Sequence, residues 1–269
     1  LKGELDVLVL RFGPGHLHSD PIRFPRLFEV PEDREAVALI AALFAYGNVK
    51  AMGTFLQGLL ECLGPNPHRA LVAGRPLRAV PLYRFQTSKD VRRFLGALGA
   101  VLHDHGSLEA AFGLEEGDAE AKLENLALLL REKAGRLTPG LAHLLPLPSD
   151  GSACKRWWMF LRWVVRPDDG VDLGLWRCLK PDQLRIPVDT HLARIAFALG
   201  LTRRTTPDRA FALEVTHSLA AFCPKDPTRY DFALARLGIL RECPRRQVES
   251  VCRACSLRPH CALGAKHQR

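Results

Sequence analysis

Apolar positions along this chain recur mostly at helical spacing. Pro31 and Glu32 open one helix, with Val37, Ile40, Ala41, Leu43 and Phe44 so densely apolar that it should be buried all round, ending near Gly47-Asn48. Ala51–Cys62 reads as a second helix, stopped by Gly64-Pro65. Asp90–His103 carries Val91, Phe94, Leu95, Leu98 and Val101 on one face, and Ala119–Ala134 carries Leu123, Leu126, Ala127 and Leu130. Leu108–Phe112 and Leu173–Cys178 are short helical stretches, and Thr138-Pro139 starts a further short turn. Leu145–Asp150 is a proline-rich break before an aromatic helix over Ala153–Val165. Leu192, Ile195, Ala196 and Leu199 then mark a helix that Asp189 caps and Gly200 ends; Ala210–Phe222 and Tyr230–Leu240 complete the set. Residues 1–32 are poorly patterned, with Asp20–Pro31 expected to be extended. Period-two alternation is almost absent, so the expected class is all-α, with about ten helices on short connections.

Composition changes this picture little: 47% hydrophobic residues over 269 positions can bury a core, which argues against a disordered chain. The apolar run Ala36–Tyr46 is too short to span a bilayer, and no basic start, apolar centre and cleavage site mark a secretory signal. The expected setting is the cytoplasm, associated with the nucleoid. Charge does change the picture. The net is +9, and from Arg236 to Arg269 eight Lys or Arg face two acids, a basic segment that points to a phosphate-bearing partner.

Three features carry chemistry. Cys243-x8-Cys252-x2-Cys255-x5-Cys261 gathers four thiols in one short segment, enough to enclose a metal centre; zinc and a [4Fe-4S] cluster both use four cysteines, and spacing leaves both open. Lys155, in Gly151-Ser152-Ala153-Cys154-Lys155-Arg156-Trp157-Trp158, stands in the first turn of an apolar helix. A desolvated lysine loses its proton more readily, and its neutral amine is a nucleophile; the structural reading is a solvated helix-end lysine. Asp189 can cap its helix and still present an oxygen that stabilises a cationic sugar or activates water. Trp157, Trp158 and Trp176 could stack on an extruded base, though at least two of the four tryptophans should be core, and Asp172 is a second candidate cap or site carboxylate.

Taken together, Val188-Asp189-Thr190-His191, Lys155 and the cysteine array resemble the helix-hairpin-helix DNA glycosylase superfamily, in particular its endonuclease III-like branch. Leu39–Asn48 resembles the buried helix and turn that open that family's helical barrel. The chain departs from the pattern at three places: Leu147-Pro148-Ser149-Asp150-Gly151-Ser152 stands where the hairpin glycines are expected, the first cysteine interval is longer, and Lys155 lies 34 residues before Asp189. The last feature and the atypical hairpin are closer to the archaeal 8-oxoguanine glycosylases. The chain as a whole is most similar to an uncharacterised bacterial family sharing the Lys-Arg-Trp, Leu-Arg-Trp and Val-Asp-Thr-His stretches.

The resemblance implies a helical barrel over residues 33–185, a cluster domain over 186–269 and an N-terminal extension, 1–32, packed on the cluster lobe, with Lys155 and Asp189 facing each other across a DNA-filled cleft. It implies a monomer acting on damaged double-stranded DNA, with a structural [4Fe-4S] cluster on Cys243, Cys252, Cys255 and Cys261, and DNA contacts from Asn48, Arg156, Arg245 and Arg246. The implied activity is base removal with abasic-site lyase cleavage through a Lys155 Schiff base assisted by Asp189, with an oxidised purine such as 8-oxoguanine as substrate. Two other readings are a monofunctional glycosylase in which Asp189 activates water, and a non-catalytic lesion-sensing DNA binder with a structural metal.

Overall fold

The structure, a computed structural model, describes residues 1–77 and 79–262. The class is all-α. Helices α1 (Lys2–Arg11), α2 (Pro31–Leu43), α3 (Val49–Leu63), α4 (Pro67–Val72), α5 (Ser88–His105), α6 (Leu108–Phe112) and α7 (Ala119–Ala134) come first. They are followed by α8 (Pro139–Leu144), α9 (Lys155–Val165), α10 (Thr190–Ala198), α11 (Arg209–Ala220), α12 (Asp231–Ile239) and α13 (Glu249–Arg253). Among the described residues the extended pairing is a single bridge between Tyr83 and Gln86. No helix of the described residues is long and apolar enough to cross a membrane. The chain divides into two compact units, Leu17–Lys180 and Leu1–His16 together with the residues from Pro181 onward. The N-terminal segment grouped with the C-terminal part thus stops at His16, whereas residue 32 was expected.

The unit Leu17–Lys180 is built on α2. Every residue from Ala36 to Phe44 is at most 1% exposed, because α9, α4 and the 3-10 turns over Pro21–Leu27 cover it from several sides. A second layer forms where α5 packs on α7, α4 and α6. The acids in the first turns of α2 reach other helices. Asp33 accepts from the His68 amide at 2.7 Å at the start of α4. Glu35 accepts from the amides of Leu108 (2.9 Å) and Glu109 (3.0 Å) at the start of α6, and from the Trp176 indole at 2.6 Å. These amides are the orphan donors of helix starts, so one buried carboxylate stitches three segments together. Burial pushes the Glu35 carboxyl above its ordinary value, and the three donated bonds oppose that rise.

The helix over Leu173–Cys178 expected from sequence does not form. The segment runs instead against the end of α9, where the Leu173 amide donates to the Trp163 carbonyl at 2.7 Å and the Trp176 amide to Val164 at 2.8 Å. Carbonyls at a helix end lack intrahelical partners, and this strand of apolar residues supplies them.

In the other unit, α12 packs on α10 and α1. The N-terminal residues expected to be unpatterned are helical, with Leu5 and Leu8 of α1 and the following Phe12 buried. Tyr230 donates to Asp6 at 3.1 Å and Arg11 pairs with Glu242 at 2.7 Å, tying α1 to residues far along the chain. Back in the unit Leu17–Lys180, Asp20–Pro31, expected to be extended, instead winds through two 3-10 turns before α2.

Candidate functional site

Lys155 is the first residue of α9. Gly151 (φ 76°) and Cys154 (φ 44°) both adopt left-handed backbone just before it, so the chain turns sharply into the helix. Cys154 is buried, which is how a non-glycine residue is held in that conformation, and burial pushes its thiol up to about 11. Lys155 itself is half-buried. Its Nζ donates to the Met159 Sδ one turn on, at 3.2 Å, and no carboxylate pairs with it among the described residues. A thioether is a weak acceptor, so this amine is held but not neutralised by a counter-charge.

Its neighbour Arg156 is committed to structure. The guanidinium donates to the Leu43 carbonyl at 2.5 Å and to the His143 carbonyl, and lies 5.0 Å above the Tyr46 ring. Burial lowers it to about 10, against the pull of Tyr46. The expectation that Arg156 binds DNA is therefore corrected: its donors satisfy carbonyls at the ends of α2 and α8.

Around Arg156 stands a cluster that the sequence did not disclose. Tyr46 donates to the Gln86 side-chain carbonyl, Tyr83 donates to the Tyr46 main-chain carbonyl, and Gln86 donates to Gly140 at 2.8 Å. Phe85 lies 6.2 Å from Tyr46, nearly parallel, and 4.7 Å from His143. Phe85 and Leu82 are more than half exposed, at the tip of a tight turn in which Arg84 has a φ of 51°. Burial pushes Tyr46 up to about 12 and lowers His143, where Arg156 and Arg84 add to the effect. The only sequence signal was the clustering of Tyr83-Arg84-Phe85 between helices.

The aromatic candidates of α9 and of the segment after it are core. Trp157 is fully buried and donates to the Pro146 carbonyl at 3.1 Å; Trp158 is 2% exposed and Trp176 is 1% exposed, its indole held by Glu35. Asp172 is likewise corrected. It is fully buried and accepts from Arg162 at 3.1 and 2.8 Å and from Arg166, which also pairs with Asp169 at 3.2 Å, so two acids and two arginines fix the segment after α9. Asn48 is exposed and caps α3, its Oδ1 accepting from the amides of Lys50 and Ala51.

Asp189 lies in the other unit. It caps α10, with Oδ1 accepting from the Leu192 amide at 2.7 Å. Oδ2 has no bonding partner among the described residues, and the side chain is half-buried. His191 faces α12, where the space above Gly238 receives its ring. Further along, Arg194 of α10 donates to the Cys243 Sγ at 3.0 Å and to the carbonyls of Cys243 (2.6 Å) and Pro244 (2.8 Å). Arg245 and Arg246 follow, both exposed. Cys252 lies in α13, and Cys255 and Cys261 lie in the turns beyond it. Burial raises the Cys255 thiol, and the charges of Cys243, Cys261 and Cys252 raise it further.

A family model described as "Protein of unknown function (DUF2400)" matches residues 20–240. The chain belongs to that family. No curated protein and no solved structure matches it. The finding overturns the expected place in the helix-hairpin-helix glycosylase superfamily: the model that fits spans Leu39–Asn48, Lys155 and Asp189, the stretches on which the resemblance leaned, and carries no assigned activity. In this DUF2400 chain the four cysteines lie beyond the matched residues. Their donor set is that of a four-thiolate metal centre, and a cationic donor on one sulfur suits a thiolate. Among the described residues, however, no three such side chains stand as the ligands of a single ion.

Proposed function

We propose that this protein is a DNA repair glycosylase with abasic-site lyase activity. The observation that carries the reading is Lys155: a half-buried amine fixed in the first turn of α9, bonded to a thioether and paired with no carboxylate among the described residues. Such an amine needs only to lose its proton to become a nucleophile. The basic character of the chain, +9 overall, is in keeping with a polyanionic substrate.

The chemistry follows from these groups. The target nucleotide is extruded from the stack, since the reacting carbon is out of reach within a duplex. Lys155 loses a proton to solvent, and its Nζ attacks C1′ of the sugar. The bond to the base breaks and the base leaves with the bonding pair, taking up a proton. The resulting amine adduct opens to an iminium, and loss of the C2′ proton expels the 3′-phosphate, which nicks the strand. The cysteines would hold a metal centre, proposed as a [4Fe-4S] cluster, that braces the basic loop bearing Arg245 and Arg246 rather than taking part in the reaction.

The free Oδ2 of Asp189 favours a second reading, in which that carboxylate activates water and Lys155 only binds. Duplexes each carrying one damaged base, oxidised purines among them, separate the two. Base release and nicking by the wild type, both falling at least about 100-fold in Lys155→Ala, support the Schiff-base route. Base release that survives in Lys155→Ala but is lost in Asp189→Asn supports the water route. Tight DNA binding without release from any duplex contradicts both.

A further inference from the structure

Away from Lys155, the unit Leu17–Lys180 carries an open groove of about 880 Å³ along one side of α3, with Asn48 at one end. It runs from Asn48 to Glu61, a length of about 20 Å at the helical rise. Its far wall is the segment His18–Arg23. We infer that this groove seats the phosphodiester backbone of a nucleic-acid strand away from the reacting nucleotide. The inference rests on the DNA reading above for the kind of nucleic acid.

Three observations converge. The first is unspent positive charge. The side chains of Arg23 and Lys50 are exposed and have no hydrogen-bond or ion-pair partner among the described residues; His18, also exposed, stands beside them. The one acid lining the groove is Glu61, and it accepts from Gln57 at 3.1 Å. Unpaired cations gathered in a concavity favour an anion more than the same charges spread over a convex surface.

The second is positioning. Arg23 is held with its guanidinium 4.6 Å above the Phe24 ring, and its NH2 group lies 3.1 Å from where a Cβ on Gly53 would stand. The absence of a side chain at Gly53 is what lets the guanidinium lie close on α3. A guanidinium fixed by stacking loses less freedom when it binds phosphate.

The third is shape. A Cβ on Gly58 would meet nothing within 4 Å, so the floor of the groove is open there. A small metabolite in so open a trough would remain largely solvated, whereas small-molecule sites enclose most of their ligand. A strand of linked phosphates needs contact along one edge only, which is what this trough offers.

The test is binding of an undamaged fluorescent DNA duplex at several salt concentrations, read by anisotropy, with folding checked by thermal melting. Arg23→Ala/Lys50→Ala should lower affinity about tenfold near 100 mM salt and reduce the slope of log K against log salt by between about 1 and 2. Gly58→Trp fills the trough without changing charge and should weaken binding to a similar degree. Arg92→Ala, exposed on α5 outside the groove, should change it least. Wild-type affinity and slope in both the double variant and Gly58→Trp would overturn the inference, as would absence of binding to undamaged duplex by the wild type. Base release from damaged duplexes, measured on the same proteins at saturating concentration, keeps the two claims apart. Groove variants that bind weakly, in a protein that releases no base, leave the groove standing without the catalytic reading. Unchanged binding alongside Lys155-dependent release does the reverse.

Discussion

At the scale of single residues, carboxylates do most of the organising. Asp90 is the clearest case. Its Oδ2 accepts from the amide and hydroxyl of Thr87 at 2.9 and 2.8 Å, and its Oδ1 from the Thr138 hydroxyl at 2.6 Å, so one side chain closes the capping box of α5 and holds the cap of α8. Burial works against its charge, but the bonds from Thr138 and Thr87 outweigh it and hold the pKa below the ordinary carboxylate value. A depressed native pKa means that the unfolded chain binds the proton more readily. The stabilisation is therefore present above the unfolded pKa and is lost as pH falls through the native one. Asp90→Ala should cost about 1–2 kcal/mol at neutral pH. In urea melts the gap between variant and wild type should narrow as the solution is made acid; a gap that stays constant into the acid range would contradict this account. The same scale shows where site residues were legible. Asp189 was readable as a cap because a carboxylate after proline and before a helical stripe has a local physical reason. Arg156, Trp157 and Asp172 were not, because their partners, Leu43, Pro146, and Arg162 with Arg166, are set by tertiary packing that no local pattern encodes.

At the scale of elements, legibility followed the strength of local signals. α6 and α7 begin and end where the pattern placed them, each opened by a capping side chain, Ser107 or Asp118. α1 was missed because Val7 and Leu10 lie exposed among the buried Leu5 and Leu8 and blur the stripe. The segment Leu173–Cys178 was misread because its apolar run serves the unpaired end of α9, and a tertiary demand overrode the periodicity. Between α10 and α12 the packing leaves no room: a Cβ on Gly238 would fall 2.5 Å from the Cβ of His191. Gly238→Ala should therefore lower stability by about 2–3 kcal/mol through overpacking. His191→Ala in the same chain should restore much of the loss, measured as the midpoint of chemical unfolding. If the double variant is no more stable than Gly238→Ala alone, the clash is not the cause.

At the scale of the whole molecule, the chain is all-α and divides into one continuous unit and one assembled from both ends. The class was legible because helical periodicity is local; the joining of residues 1–16 to those after Pro181 was only partly so, because it depends on pairs such as Tyr230 with Asp6 that lie far apart in sequence. The family match fixes what this chain is related to over residues 20–240 and leaves its chemistry to be argued from residues. The cysteine segment makes a separate prediction. If it holds an iron–sulfur centre, the protein purified without oxygen should be brown and carry iron and acid-labile sulfide. Cys255→Ser should lose most of both and melt at lower temperature. A colourless wild type containing zinc would contradict the iron assignment.

The proposed reaction turns on a covalent bond between Lys155 and DNA. The most direct measurement is to mix the protein with a duplex bearing a damaged base or an abasic site, reduce with borohydride, digest the trapped complex and locate the modified peptide by mass spectrometry. A sugar remnant on Lys155 and no trapped complex in Lys155→Ala are expected. A remnant on another lysine or on the N-terminal amine, or trapping undiminished in Lys155→Ala, would contradict the proposed reaction.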